Sequence, residues 1–160
     1  MKKIISIFQI ISILLGVTVM ILFIIPMLVG IKPFVVLSGS MEPDIMTGSV
    51  AYVNTHIKPE EIKQNDIIGF SMKNKIVTHR VIRINNDKTF TTKGDANKSE
   101  DISNVKFDNY IGKTIFSIPY LGKIVSYSKS KVGIFVIALI VGLNIVFILF
   151  EKKLIKEEEY

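Results

Sequence analysis

The chain contains no cysteine. That excludes a disulfide framework and thiolate chemistry alike. Histidine is scarce as well: His56 and His79 are the only two, far apart and not in a helical His-x-x-x-His pair. With no thiolate to add, that is a poor set for a metal ion, and neither a metal nor an organic cofactor is expected. The formal charge of +6 is spread along the chain, with no dense basic block interleaved with aromatics. Nucleic acid is therefore not an expected partner. A cationic surface near anionic lipid headgroups is the plainer reading. No internal repeat appears, and low complexity is confined to the charged C-terminal tail.

What the chain does have is two long apolar runs. Residues 4–25 carry no charge, and 17 of those 22 residues are apolar; residues 132–150 are 19 residues without a charge. About 20 apolar residues cross the hydrocarbon core of a bilayer, so both are candidate transmembrane helices. Lys2 and Lys3 also suit a cleavable signal peptide, but the first run exceeds the ~7–15 apolar residues of such signals and reads as a retained anchor. Two spans put both termini on one side and the middle of the chain on the other. The flanking cations divide weakly: Lys2, Lys3, Lys152, Lys153 and Lys156 against Lys32, Lys123, Lys129 and Lys131. The expected organisation is a cytoplasmic start and first span over 1–31, an extracytoplasmic domain over 32–128, a second span over 129–151 and a cytoplasmic tail over 152–160.

The middle of the chain is long enough for one small core. Pro26 closes the first span, and Gly30, Lys32 and Pro33 mark its exit into water. Short β-branched runs follow at 34–37, 49–53, 67–70, 76–84, 89–92 and 110–117, separated by turn residues such as Asn85-Asn86-Asp87. Their spacing, without a strong 3.6-residue period, predicts a mainly β domain flanked by the two apolar helices. Residues 94–109 read as polar and irregular, Ile118-Pro119-Tyr120-Leu121-Gly122 follow the last run, and the tail from Glu151 reads as a solvated, frayed end.

Three stretches of this domain carry possible chemistry. Ser38-Gly39-Ser40-Met41-Glu42-Pro43 is a small serine turn just past the first span. Ser40 is a candidate nucleophile if a base takes its proton, and an ordinary Ser/Gly/Pro loop if none does. His79 is the candidate base. On a strand over 76–84 it shares a largely apolar face with Val77 and Val81, where desolvation favours the neutral imidazole; a satisfied core histidine is the alternative. His56, in a polar loop, reads as a surface residue. A base histidine works best with an acceptor on its second nitrogen. Asp95 and Asp101 are candidates, and nothing local separates them from the turn acids Asp66 and Asp87. Oxyanion donors would come from the Ser40 amide and the Ser38 hydroxyl, the latter equally readable as a solvated group.

Taken in order, Leu37-Ser38-Gly39-Ser40-Met41-Glu42-Pro43, Val77-Thr78-His79-Arg80-Val81 and Thr92-Lys93-Gly94-Asp95-Ala96-Asn97, with Asp101 beyond, resemble type I signal peptidases. The resemblance is closer to the endoplasmic-reticulum type, also found in archaea and some Gram-positive bacteria. The usual bacterial type has a lysine base before Arg-Val; here His79 precedes Arg80-Val81. The likeness covers roughly residues 35–122, including Gln64-Asn65-Asp66-Ile67-Ile68, where Asn65 replaces the family's usual glycine. It implies a membrane-bound serine endopeptidase that removes signal peptides from secreted precursors, cutting after small residues. By that resemblance Ser40 attacks, His79 takes its proton, Asp101 orients His79 and Asp95 supports the site. It also implies precursors bearing signal peptides, the lipid bilayer and the secretion translocon as partners, and a cell-membrane location with the domain outside. A peptidase dedicated to one or a few exported proteins, and a membrane-tethered β-domain without catalysis, are the alternatives.

Overall fold

The computed structural model describes residues 2–73 and 75–158, with side chains over 5–73 and 75–150. The chain divides into two compact units: Pro26–Val125, and Met1–Ile25 together with Ser126–Tyr160.

The second of these is helical. Helix α1 (Lys2–Val19) runs through a widened turn at Met20–Ile24 into the short α2 (Ile25–Leu28). Pro26 has no N–H to give, and in the turn before it the Ile25 N–H reaches five residues back to the Met20 carbonyl. Helix α4 spans Lys131–Glu158. Ile5–Leu28 and Lys131–Phe150 have mean hydropathies of 2.8 and 3.0, and both are long and apolar enough to cross a membrane. At 1.5 Å per residue the shorter of them spans about 30 Å, the thickness of a hydrocarbon core. The side chains of α1 and α4 meet. Asn144 Nδ2 donates to Ser12 Oγ (3.1 Å) and to the Ile140 carbonyl (2.8 Å), and Phe8 meets Phe147 edge-on at 5.3 Å. The tail expected to fray at Glu151 continues as helix to Glu158, on lysines and glutamates of good helix propensity.

The other unit is a seven-stranded sheet, antiparallel at every pairing, with strand order β1-β2-β7-β3-β4-β5-β6. The strands are β1 (Ile31–Val35), β2 (Val50–Asn54), β3 (Ile67–Met72), β4 (Lys75–Asn85), β5 (Thr89–Lys93), β6 (Val105–Lys106) and β7 (Tyr110–Ile118). The mainly β expectation holds, with two corrections and one addition. Strand β1 begins at Ile31 rather than Phe34 and contains Pro33, which is tolerated because β1 is an edge. The stretch read as irregular holds β6 and a 3₁₀ turn at Phe107–Asn109, because Val105 and Phe107 are drawn onto the core. After β7 the chain forms a helix, α3 (Leu121–Ser128), for which the sequence pattern gave no expectation.

Ile62, Ile68, Phe70, Val81, Phe90 and Val105 form a buried cluster, with Ile57, Val77, Phe107 and Tyr110 packed against it. Phe90 stacks on Phe107 at 4.7 Å. Ile68 and Phe70 on β3, and Val77 and Val81 on β4, stand at alternate positions, the period-2 pattern visible in the sequence; Phe90 of β5, Val105 of β6 and Ile62 from outside the strands complete the cluster. Asp87 and Asn85 serve the β4–β5 turn: Thr89 Oγ1 donates to Asp87 Oδ1 (2.6 Å) and Asn85 Nδ2 donates to Thr89 Oγ1 (3.0 Å).

Tyr110 Oη donates to the Ile57 carbonyl (3.0 Å) at the margin of this core. Burial, and then the carboxylates of Asp66 and Glu61, push its ionisation well above the ordinary phenol value of 10.0. An unfolded chain ionises this tyrosine near pH 10 while the folded one does not. Its stabilising effect is therefore complete below that pH and is lost as pH rises above it. Thermal unfolding followed between about pH 9 and 11 should show the parent losing stability more steeply than Tyr110→Phe; parallel curves would contradict this.

Candidate active site

Strand β4 sets the geometry. His79 is 7% exposed and lies on the same face as Val77 and the fully buried Val81. Its backbone partner on β3 is Ile68, and the Phe70 ring meets the imidazole edge-on at 6.1 Å. On the other flank β5 pairs Arg80 with Lys93 and Val81 with Thr92. The β4–β5 ladder ends at that Arg80–Lys93 pair, and Gly94 is the next residue of the chain. A Cβ built on Gly94 would lie 2.6 Å from the Ser40 carbonyl oxygen, 2.8 Å from Asn97 Nδ2 and 3.0 Å from Ser40 Cβ. The space a side chain would fill at position 94 is occupied by Ser40.

The serine loop is held there at several points. The Ala96 N–H donates to the Ser40 carbonyl (2.9 Å). Met41 and Ile45 are buried and anchor the loop by their side chains. Glu42 Oε1 accepts from the Thr47 hydroxyl (2.6 Å) and N–H (3.0 Å), closing the loop. Those bonds, the hydroxyl's first, lower the pKa of Glu42 below the usual carboxylate value and keep it charged.

Ser40 Oγ thereby lies 3.2 Å from His79 Nε2, and His79 Nδ1 lies 2.6 Å from Asp101 Oδ2. An ionised carboxylate can only accept, so Nδ1 carries the proton and the Nε2 lone pair faces the serine hydroxyl. Ser38 Oγ is 3.4 Å from Ser40 Oγ; with the Ser40 proton directed at His79, the Ser38 hydroxyl is the donor of that pair. Three distant stretches of chain thus bring an alcohol, an imidazole and an acid into line. The arrangement can pass a proton from oxygen to nitrogen while a carboxylate stabilises the resulting cation.

The other acids lie elsewhere. Asp95 takes Arg80 in a two-point grip, Nε on Oδ1 (2.8 Å) and Nη2 on Oδ2 (2.7 Å). Arg80 also bonds Asp44, in the loop after Ser40, and its Nη1 donates to the Asn65 carbonyl (2.9 Å). The Asp95 hydrogen bonds, with the charges of Asp95 and Asp44, raise the guanidinium's ionisation further. Arg80 therefore ties the strand bearing His79 to both loops that flank it. Asp66 accepts from the Lys63 N–H (2.9 Å) and pairs with Lys113 (2.6 Å). His56 is exposed, as expected. Asn65 has φ +74°, a conformation in which glycine is free and asparagine the next best tolerated, which accounts for the departure at that position. Among the described residues no three His, Asp or Glu side chains gather as a metal site.

One residue went unsingled in the sequence. Thr92 is fully buried, and its hydroxyl donates to Asp101 Oδ2 (2.6 Å). It opens the Thr92–Asn97 stretch quoted above, but a hydroxyl residue two places before Gly94 on the inward face of a strand is too common a pattern to assign it a role.

The model of the family described as signal peptidase, peptidase S26, matches residues 7–91. The chain belongs to the S26 signal peptidase family. The match takes in Ser40 and His79 and stops before Asp95 and Asp101. Among relatives of this family, signal peptidase I W of Bacillus subtilis is 38% identical over 89 residues, covering 52% of this chain and 47% of that protein. The signal peptidase complex catalytic subunit SEC11C of Canis lupus familiaris is 31% identical over 103 residues, covering 56% and 53%. The chain spans about half the length of the curated relatives it matches.

The Gly94 gap gives a direct test. Gly94→Ala should force the Ser40 loop off the sheet, costing about 1–3 kcal/mol of stability and about 100-fold in any Ser40-dependent hydrolysis. Limited proteolysis should cut residues 37–47 more readily in the variant. An unchanged digestion pattern with full activity would show that Ser40 does not need this seat.

Proposed function

We propose that the protein is a membrane-anchored serine endopeptidase that removes signal peptides from secreted precursors. The Ser40–His79–Asp101 alignment, within a chain of the signal peptidase family, carries this reading. In the first half-reaction the Ser40 oxygen attacks the scissile carbonyl while its proton passes to His79 Nε2. Asp101 stabilises the imidazolium, which then returns the proton to the departing amine. Water, deprotonated by His79, hydrolyses the acyl-enzyme and restores the serine. The Ser40 amide and the Ser38 hydroxyl are the proposed oxyanion donors. Asp95 acts at one remove, through Arg80 and the loops it ties down.

The open flank of β4 supports a mode of substrate binding. Strand β5 pairs with β4 only from Arg80 onward, so residues 75–79 have β3 on one side and no strand on the other. An extended precursor segment can add there by main-chain hydrogen bonds and run directly to His79. Small side chains flanking the cut, as in Ala-x-Ala, suit such a site. The proposed topology has both termini in the cytoplasm and the sheet unit outside the cell membrane, over residues 32–128, where a signal peptide's C-terminal end emerges. Anchoring holds enzyme and substrate in one plane and gains from proximity. The translocon is the proposed neighbour that delivers precursors.

The test uses the full chain in detergent with a precursor carrying an Ala-x-Ala site. Ser40→Ala should lose at least about 10⁴-fold in kcat/KM, and Ser38→Ala about 100-fold. Asp101→Ala should cost more than Asp95→Ala; the reverse ranking would exchange their roles. Equal cleavage by Ser40→Ala and the parent would remove the enzyme reading for Ser40, and no cleavage by either would favour a tethered β-domain without catalysis. Cleavage of one exported protein alone, in a comparison of secreted proteins from parent and deletion strains, would favour a dedicated peptidase. Protease added to intact cells should digest the sheet unit; digestion only after lysis would contradict the external placement.

A further inference from the structure

We propose that Thr92 is a positioning residue that holds Asp101 for His79; the proposal rests on the peptidase reading above. Asp101 lies in a loop whose neighbours are open to solvent, with Ile102 fully exposed and the Glu100 side chain 45% exposed. Nothing in such a loop of itself aims a carboxylate. Thr92 supplies the aim twice over. Its carbonyl accepts the Asp101 N–H at 2.8 Å, and its hydroxyl donates to Asp101 Oδ2 at 2.6 Å. That oxygen is the one His79 Nδ1 meets, also at 2.6 Å. One backbone bond fixes where the aspartate stands and one side-chain bond fixes which way its carboxylate turns.

The hydroxyl answers to this role. Thr92 is fully buried, where an unpaired hydroxyl would carry a desolvation penalty. Its bond to Asp101 satisfies it. Thr91, one place earlier, faces a different set: its hydroxyl bonds Asn104 and accepts from Asn85. A branched side chain on a strand is also stiff about its first torsion, so the donor does not wander. The group acts through Asp101 on His79 and touches no substrate, so its loss should fall on the chemical step and not on binding.

The experiment measures kcat and KM of the full chain in detergent on an Ala-x-Ala precursor, with thermal unfolding alongside. Thr92→Val, close in shape but without the hydroxyl, should lower kcat about 10- to 100-fold, with KM within about twofold. Thr92→Ser should restore kcat to within about threefold of the parent. In an Asp101→Ala background, Thr92→Val should cost nothing more, because the group it acts through is gone. Should the valine variant fail to fold, Thr92→Ala is read against Thr92→Ser in the same way. If Ser40→Ala is inactive while Thr92→Val keeps the parent's kcat, the positioning role is wrong and the peptidase reading stands. A full additional loss from Thr92→Val without Asp101, a loss confined to KM, or a serine variant no better than valine would each overturn it too. Activity surviving in Ser40→Ala would overturn both readings.

Discussion

The site depends on an absence: at Gly94 the sheet has no side chain, and Ser40 occupies the room. Backbone of two separate loops meets there at a distance that any Cβ would forbid. The contact is fastened by the Ala96 bond to the Ser40 carbonyl and by the burial of Met41 and Ile45. Because Gly94 follows Lys93, the partner of Arg80, Ser40 seated on the glycine comes to lie beside the imidazole. No long-range pull between serine and histidine is needed, and a bond of 3.2 Å would supply little of one. The loop's own packing does the positioning, and the hydrogen bond records the result.

Much of this was legible from residues alone, for a physical reason in each case. Alternation along β4 put His79 with Val77 and Val81, and the strand obeys it because the core takes every second side chain. The apolar runs announced helices of membrane length by size and lack of charge. The choice of Asp101 over Asp95 was not legible locally. It came from resemblance, and in the structure it turns on facts at long range: Asp95 is taken up by Arg80, whereas Asp101 is turned inward by Thr92. Strand β6 escaped because two residues carry no period, and α3 because a short run after Pro119 resembles a loop. Thr92 escaped for a different reason. A threonine on a strand is what β propensity favours, so its hydroxyl drew no notice until its partner was known.

Arg80 shows how neighbouring residues on one strand can divide the work. His79 faces the core side, where Phe70 and Val81 keep water away. Arg80, the next residue, bonds Asp44 in the serine loop, Asp95 in the loop after Gly94 and the carbonyl of Asn65. A bidentate guanidinium–carboxylate pair is directional, so it limits rotation as well as separation. The strand therefore presents an imidazole on one face and a clamp on the other, and the clamp ties down the two loops between which the imidazole lies. That accounts for an acid, Asp95, which belongs to the motif yet is drawn away from the imidazole.

With His79 as the proposed base, the number of supports around the site has a chemical reason. A lysine base, as in the sister subtype, offers one nitrogen, and its proton can be accepted with no group behind it. Imidazole offers two, and only one tautomer leaves a lone pair toward the serine. A site built on histidine must settle the far nitrogen as well as the near one. Here the far nitrogen is settled by Asp101, a residue on an exposed loop, and an exposed loop supplies no orientation of its own. The next requirement is a fixed donor behind the acid, on a rigid element and away from water. Thr92, on the strand next to that of His79, meets those conditions. The chain of dependence then runs from strand to hydroxyl to carboxylate to imidazole to alcohol, and each link constrains the one before it less by strength than by direction.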